Sequence, residues 1–148
     1  MGEMNLKLDM SKTYDRVEWG CLESIMVKMS FHTKWVDIMM RYVQTVTYSV
    51  KIIGKPRGNI TLTRGLRQGD PLSPSLFLIC AEGLLELLKK LIELGTLKGV
   101  AACVREPDIS HLLFVDDSLI LCWATEEECS TLIAILEEYE QASGQQLN

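Results

Sequence analysis

The chain has 148 residues, 47% of them hydrophobic, which is enough for one domain with a buried core. Its net charge of -5 does not by itself predict a protein that binds nucleic acid. The five cysteines include no Cys-x-x-Cys pair, which argues against a zinc site or a disulfide framework and indicates an intracellular chain with reduced thiols.

The first predicted element is a short apolar strand over residues 4–10, with Asp9 near its end. Asp15, followed three residues later by Glu18, then predicts the capped start of a helix. A second amphipathic helix follows, because apolar residues recur at helical spacing. The predicted apolar face of this second helix comprises Trp35, Ile38, Met39, Tyr42, Val43 and Val46.

A strand pair is predicted next, from apolar segments at residues 48–53 and 60–63. Residues 54–59 between them contain Gly and Pro and predict the connecting loop. This part of the chain is basic, and its positive charges could contact phosphates. Between residues 51 and 69 there are no acids and five bases, which are Lys51, Lys55, Arg57, Arg64 and Arg67.

A long apolar helix follows the basic segment. Ser73 and Pro74 favour its start, and Gly95 favours its end. The helix contains Glu82 and Glu86, so we expect it to be buried in the protein and not to cross a membrane.

Two adjacent acids, Asp116 and Asp117, separate apolar segments at residues 111–115 and 118–123. Each segment is long enough for a strand, and Asp-Asp fits the two-residue turn of a hairpin. Two like charges at the edge of an apolar core are unfavourable unless a cation neutralises them. If the strands are neighbours, Asp9 can share that cation, and three acids suit a two-metal site with Mg²⁺ ions about 3.5–4 Å apart. A surface turn without bound metal is the alternative.

The last part of the chain is acidic, since ten acids and no Lys or Arg follow Arg105. Residues 97–104 predict a strand. Thr125 and Glu128 predict the capped start of a final helix that closes near Gly144. The residues predicted to face inward from this helix are Cys129, Leu132, Ile133, Leu136 and Tyr139.

Three motifs occur in one order: KLDMSKTYD at residues 7–15, GLRQGDPLSP at 65–74 and FVDD at 114–117. In this order and spacing they resemble the palm of reverse transcriptases, specifically those of non-LTR (LINE-type) retrotransposons, and plant elements most closely. The resemblance covers nearly the whole chain. It implies an α+β fold, with a palm-like antiparallel sheet packed against helices and part of the fingers.

The resemblance also implies roles for the three acids. Asp9, Asp116 and Asp117 match the catalytic acids of the family, which hold Mg²⁺ or Mn²⁺, with two ions in the complete site. The implied reaction is two-metal nucleotidyl transfer, in which deoxynucleotide triphosphates extend a DNA primer on an RNA template.

Four further positions match residues that bind substrate in the family. Tyr14 matches an aromatic steric gate that collides with a ribose 2′-hydroxyl and so favours deoxynucleotides. Gln68 and Gly69 match the loop that lies against the incoming nucleotide and the template, and Arg67 lies in the same loop. The alternative interpretations are a core aromatic for Tyr14, a turn residue for Gln68 and a solvated charge for Arg67.

Family polymerases have a basic fingers region before the first acid and a thumb after the palm, whereas only eight residues precede Asp9. We therefore predict a partial reverse transcriptase domain over residues 1–148, with the endonuclease, the thumb and most of the fingers absent. This fragment is expected to be inactive alone, with the missing parts supplied by a longer polypeptide. The resemblance implies a nuclear location, although no targeting signal is visible.

Two alternatives remain open at this stage. One is a non-catalytic retrotransposon remnant that binds metal or nucleic acid weakly. The other is an unrelated Mg²⁺ phosphohydrolase, against which the loop at residues 67–74 argues.

Overall fold

The computed structural model describes residues 2–10, 12–98, 100–101, 108–109, 111–114 and 117–147. Within these ranges the helices and strands are β1 (Glu3–Asp9), α1 (Trp19–Lys28), α2 (Thr33–Gln44), β2 (Thr47–Ile52), β3 (Lys55–Thr61), α3 (Ser73–Glu93), β4 (Val100–Ala101), β5 (Asp108–Ile109), β6 (His111–Phe114), β7 (Asp117–Trp123) and α4 (Glu126–Ser143). An antiparallel sheet has the strand order β1-β7-β6, and two smaller sheets pair β2 with β3 and β4 with β5. This arrangement agrees with the α+β class predicted from the sequence.

One apolar cluster joins the β1-β7-β6 sheet to the helices. Along β7 every second residue is buried, including Ile120 and Cys122, as expected for a strand with one face on the core. From the helices, Leu22, Phe77 and Leu84 are each almost fully buried in the same cluster. Burying one such side chain contributes about 1.5–3 kcal/mol, so this cluster fixes the sheet against the helices.

Helix α1 begins at Trp19, so the prediction that Asp15 caps it is wrong. The N-cap residue is Glu18, whose side chain makes no capping hydrogen bond. Instead, the Glu18 Oε1 atom lies 3.3 Å from the Arg64 Nη1 atom. Asp15 lies in a turn that its N–H closes by donating to the Lys12 carbonyl at 3.0 Å. The capping box is not formed, since the Glu18 N–H that an Asp15 cap would bind donates to the Ser143 carbonyl at 3.0 Å.

The loop predicted at residues 54–59 is also wrong, because β3 already begins at Lys55. The turn consists of Ile53 and Gly54, with φ angles of 50° and 74°. Positive φ at both positions is the requirement of a type I′ turn, which matches the twist of a hairpin. Pro56 is tolerated within β3 because this two-stranded sheet offers edge positions.

Helix α2 exists as predicted, but its buried face is displaced by about one position. Val36, Met40 and Val43 are buried, whereas Ile38 and Tyr42 are exposed. Apolar residues occur on both sides of this helix, so the sequence pattern did not identify the side that packs on α1.

The ends of the two later helices agree with their local signals. Helix α3 begins at Ser73 with Pro74 in its first turn, and Gly95 follows its end. At the start of α4, the Thr125 hydroxyl accepts a hydrogen bond from the Glu128 N–H at 3.2 Å. In the described part of the chain, no helix is long and apolar enough to cross a membrane.

Only part of the strand predicted over residues 97–104 can be compared with the structure. Val100–Ala101 forms β4, which pairs with β5, whereas Leu97 and Lys98 are not in a strand, so the prediction is wrong for these two residues. Residues 99 and 102–104 lie outside the described residues.

Candidate active site

The acids of the first and third motifs meet on neighbouring strands. Strands β1 and β7 pair antiparallel, and Asp9 lies directly opposite Asp117 in the register. Directly opposed residues project to the same face of a sheet, with Cα atoms roughly 4.5–5.5 Å apart. The condition under which Asp9 could share a cation with the hairpin acids, that the strands are neighbours, is thus met, and two aspartates lie opposite each other at one end of the sheet.

The register also corrects the predicted position of the second acid. Phe114 pairs with Asp117 across the β6–β7 hairpin, so Asp117 is the first residue of β7 and not a turn residue. Asp116, the third predicted acid, lies outside the described residues, as does Val115. The described part of the site therefore contains Asp9 and Asp117.

A lysine lies beside this acidic pair. The Lys7 Nζ atom is 3.1 Å from the Asp117 Oδ1 atom. Lys7 precedes Asp9 by two residues on β1, so both side chains project to the same face of the sheet. The two-residue spacing of Lys7 and Asp9 can be read from the sequence, yet Lys7 was not among the predicted site residues.

The donor set of the pair suits a hard divalent cation. Carboxylate oxygens are the ligands preferred by Mg²⁺ and Mn²⁺, and Mg²⁺ sites use one or two carboxylates and complete the shell with water and substrate phosphates. Among the residues that the structure describes, no group of three or more His, Cys, Asp or Glu side chains is placed to hold a metal ion. Two of the three predicted acids thus lie opposite each other, and their carboxylate oxygens are suitable ligands for Mg²⁺ or Mn²⁺.

Three of the four predicted substrate-binding residues line one cleft of about 610 Å³. Tyr14, Gln68 and Gly69 line it, together with Met10, the residue that follows the acid of β1. The Tyr14 ring also packs edge-on against Phe77 of α3, with centroids 5.7 Å apart and an angle of 63° between the planes. Tyr14 therefore combines a core contact with a position in the cleft.

Backbone hydrogen bonds hold the second motif against the segment that follows β1. The Gly65 N–H donates to the Val17 carbonyl at 2.8 Å, and the Leu66 N–H donates to the Tyr14 carbonyl at 2.7 Å. The Trp19 indole N–H donates to the Gly65 carbonyl at 2.8 Å. These bonds bring Tyr14 and the loop of the second motif to the same place.

Arg67 lies in the predicted loop but borders a different cleft. It lines a cavity of about 390 Å³ with Arg64, Tyr48 and Gln68, and it is absent from the lining of the cleft that contains Tyr14. Gln68 borders both cavities. Arg67 and Tyr14 therefore line different cavities, and Gln68 lines both.

Two residues that were not among the predicted site residues fix the second motif to α2. The Tyr42 hydroxyl donates a short hydrogen bond to Asp70 Oδ2, and the Asp70 Oδ1 atom accepts from the Leu72 N–H at 2.8 Å. The hydrogen bond with Tyr42 is the largest cause that lowers the pKa of Asp70, and the same bond raises the pKa of Tyr42. A turn signal exists at Asp70, but no local pattern connects Tyr42 to it.

Over residues 2–148 the chain matches the family model described as reverse transcriptase (RNA-dependent DNA polymerase). The chain therefore belongs to the reverse transcriptase family. It is 25% identical over 144 residues to a Pol polyprotein of the type-1 retrotransposable element R2 from Popillia japonica, covering 97% of this chain and 19% of that protein. Relatives of this kind confirm the resemblance to the non-LTR branch.

Two further similarities concern a plant protein and the fold. An uncharacterized mitochondrial protein of Arabidopsis thaliana is 49% identical over 72 residues, which is 49% of this chain and 59% of that protein. A telomerase structure from Candida tropicalis, in complex with a fragment of telomeric RNA, matches 99% of this chain with a TM-score of 0.73 and 15% identity. The match covers 24% of the telomerase chain and confirms the palm-like fold. The chain thus spans less than two thirds of the proteins it resembles.

Proposed function

We propose that this chain is the palm core of an RNA-directed DNA polymerase of the non-LTR type. The observation that carries the proposal is the register that places Asp9 opposite Asp117, beside a cleft that Tyr14 lines. Two bound divalent ions, Mg²⁺ or Mn²⁺, would stabilise charge on the attacking and leaving oxygens of nucleotidyl transfer. Asp9, Asp116 and Asp117 are the residues that would hold these ions.

The cleft supports a division of roles among the residues that line it. The Tyr14 ring lines the cleft and is held by its contact with Phe77, and from this position it would exclude a ribose 2′-hydroxyl by steric contact. Gln68 and Gly69 line the same cleft, where they would contact the incoming deoxynucleotide and the template. Arg67, in the neighbouring cavity, supplies a positive charge near the nucleic-acid backbone.

The proposed metal site can be tested without polymerase activity. We expect calorimetry to detect Mn²⁺ binding to the wild type, and Asp9→Asn or Asp117→Asn to weaken it at least about tenfold, because each removes a charged ligand. Asp116→Asn tests the third acid in the same way. Asp37→Asn, an exposed acid on α2, is the matched control and should bind like the wild type. Equal affinity in all five proteins would contradict the proposed site.

The exposed hairpin β2–β3 supports RNA template and DNA primer as partners. Lys51, Lys55 and Arg57 are all exposed on it, and no acid occurs in this part of the chain. Each cation that neutralises a phosphate steepens the dependence of affinity on salt concentration. We expect the double substitution of Lys55→Gln and Arg57→Gln to weaken binding to an RNA–DNA hybrid. It should also reduce the slope of log affinity against log salt concentration by about 2. Lys89→Gln, on α3, is the control that should leave the slope unchanged.

The domain assignment and the location remain part of the proposal. Residues 1–148 act as a palm core that requires further protein for synthesis, because nucleotidyl transfer depends mainly on positioning of the triphosphate and primer. The much greater length of the R2 relative supports this division. A nuclear location follows from the family resemblance, and microscopy of a tagged chain tests it.

A further inference from the structure

Three charged side chains share the exposed face of the β1–β7 pair. Along β1 the odd-numbered residues are exposed, so Lys7 and Asp9 project away from the core. Lys7 pairs in register with Leu119, which places Asp117 diagonally opposite Lys7 and directly opposite Asp9. The Lys7 Nζ atom spans this diagonal and lies 3.1 Å from the Asp117 Oδ1 atom.

The arrangement of these charges has a physical cause. Like charges directly opposite each other on an antiparallel pair destabilise the pairing, and Asp9 and Asp117 occupy such positions. A lysine ammonium on the same face compensates one of the two carboxylates. Its flexible four-carbon stem also allows the ammonium to leave without any change in the backbone.

We propose that Lys7 is a resident counter-ion of the acidic pair, which holds Asp117 in the absence of a divalent ion and releases it when the ion binds. Lys7 is thus a positioning residue, and it competes with the metal for the same carboxylate. This inference rests on the proposed metal site. It predicts opposite effects of removing Lys7: weaker stability of the metal-free protein and tighter binding of the metal.

The first measurement is made in EDTA, without any metal. An exposed ion pair contributes modestly to stability, so Lys7→Met should lower the Tm by about 1–3 °C. The same substitution made in an Asp117→Asn background should have no such effect, because the partner charge is already absent. Equal shifts in the two backgrounds would overturn the counter-ion role.

The second measurement is the affinity for Mn²⁺ by calorimetry. Lys7→Met should lower the Kd about two- to fivefold, as expected when a competing charge of this strength is removed. Lys7→Arg keeps a cation and should resemble the wild type, as should Lys34→Met, which removes an exposed lysine from α2. An unchanged Kd in Lys7→Met would overturn the competition.

The two measurements separate this inference from the proposed function. If no protein binds Mn²⁺, the proposed metal site fails and with it the competition. The counter-ion role would then be decided by the metal-free comparison of Lys7→Met in the two backgrounds.

Discussion

The contact between the second motif and the segment after β1 can be perturbed with a single methyl group. Gly65 has a φ angle of 92°, and a Cβ atom at this position would lie 2.8 Å from the Asp15 carbonyl oxygen and 3.2 Å from the carbonyl carbon. Both are backbone atoms, so they cannot rotate away as a side chain would. In Gly65→Ala, the turn that contains Asp15 and the loop of the second motif must therefore separate.

The size of the effect follows from these contacts. An alanine in the left-handed region costs about 1–2 kcal/mol. Separation of the two segments also weakens the Gly65–Val17 and Leu66–Tyr14 hydrogen bonds, each of which contributes about 0.5–1.5 kcal/mol. Loss of one or both gives a total decrease in the free energy of unfolding of roughly 1.5–5 kcal/mol.

Gly69→Ala is the matched control, since Gly69 lies in the same loop and has a φ angle of 80°. A Cβ atom added at Gly69 would have no atom within 4 Å. This variant should show the left-handed strain alone, about 1–2 kcal/mol. Urea unfolding followed by circular dichroism measures both variants against the wild type. A loss in Gly65→Ala equal to or smaller than that in Gly69→Ala would refute the reasoning.

Three other predictions address the pH dependence, the gate and the activity. The hydrogen bond from Tyr42 is the main cause that lowers the pKa of Asp70 in the folded protein. The stability that the Asp70 carboxylate contributes is therefore present above its ordinary pKa of 3.8, and it is lost as the pH falls through the lower, folded-state pKa. Between pH 7 and pH 3 the wild type should thus lose more stability in urea unfolding than Asp70→Asn; equal losses would contradict this linkage. In a longer form that polymerises, Tyr14→Ala should incorporate ribonucleotides that the wild type rejects, and unchanged discrimination would leave Tyr14 as a core aromatic. The 148-residue chain alone should not extend a primer on an RNA template with Mg²⁺; extension by the wild type that disappears in Asp116→Asn would disprove this.

Features that depend on neighbouring residues could be predicted from the sequence. Helix α3 begins where Ser73 and Pro74 indicate, and α4 begins with the Thr125–Glu128 hydrogen bond that its spacing predicts. The sequence left open whether β1 lies beside β7, and the proposal that the acids share a cation depended on it. The register then places Asp9 opposite Asp117, which is the part of the candidate site that the sequence anticipated best.

Features that depend on distant partners could not be predicted in the same way. Glu18 has the spacing of a capping box, yet its carboxylate pairs with Arg64, 46 residues away. Tyr42 lies on the side of α2 that was expected to be buried, but it is exposed and bonds to Asp70, 28 residues away. Hydrophobic periodicity identifies the apolar faces of a helix, but it does not show which of two apolar faces is buried. It also does not show whether a charged side chain caps its own helix or pairs with a distant residue.

The segment after Asp9 shows how far the site depends on such distant contacts. From the C-terminal side, the Gln145 side-chain amide donates to the Thr13 carbonyl at 3.0 Å, and both residues are buried. Met10 forms an antiparallel bridge with Leu147. The loop of the second motif bonds to the same segment from another direction. Because Met10 and Thr13 lie just after Asp9, the placement of this acid and of the neighbouring cleft depends on residues at both ends of the described chain.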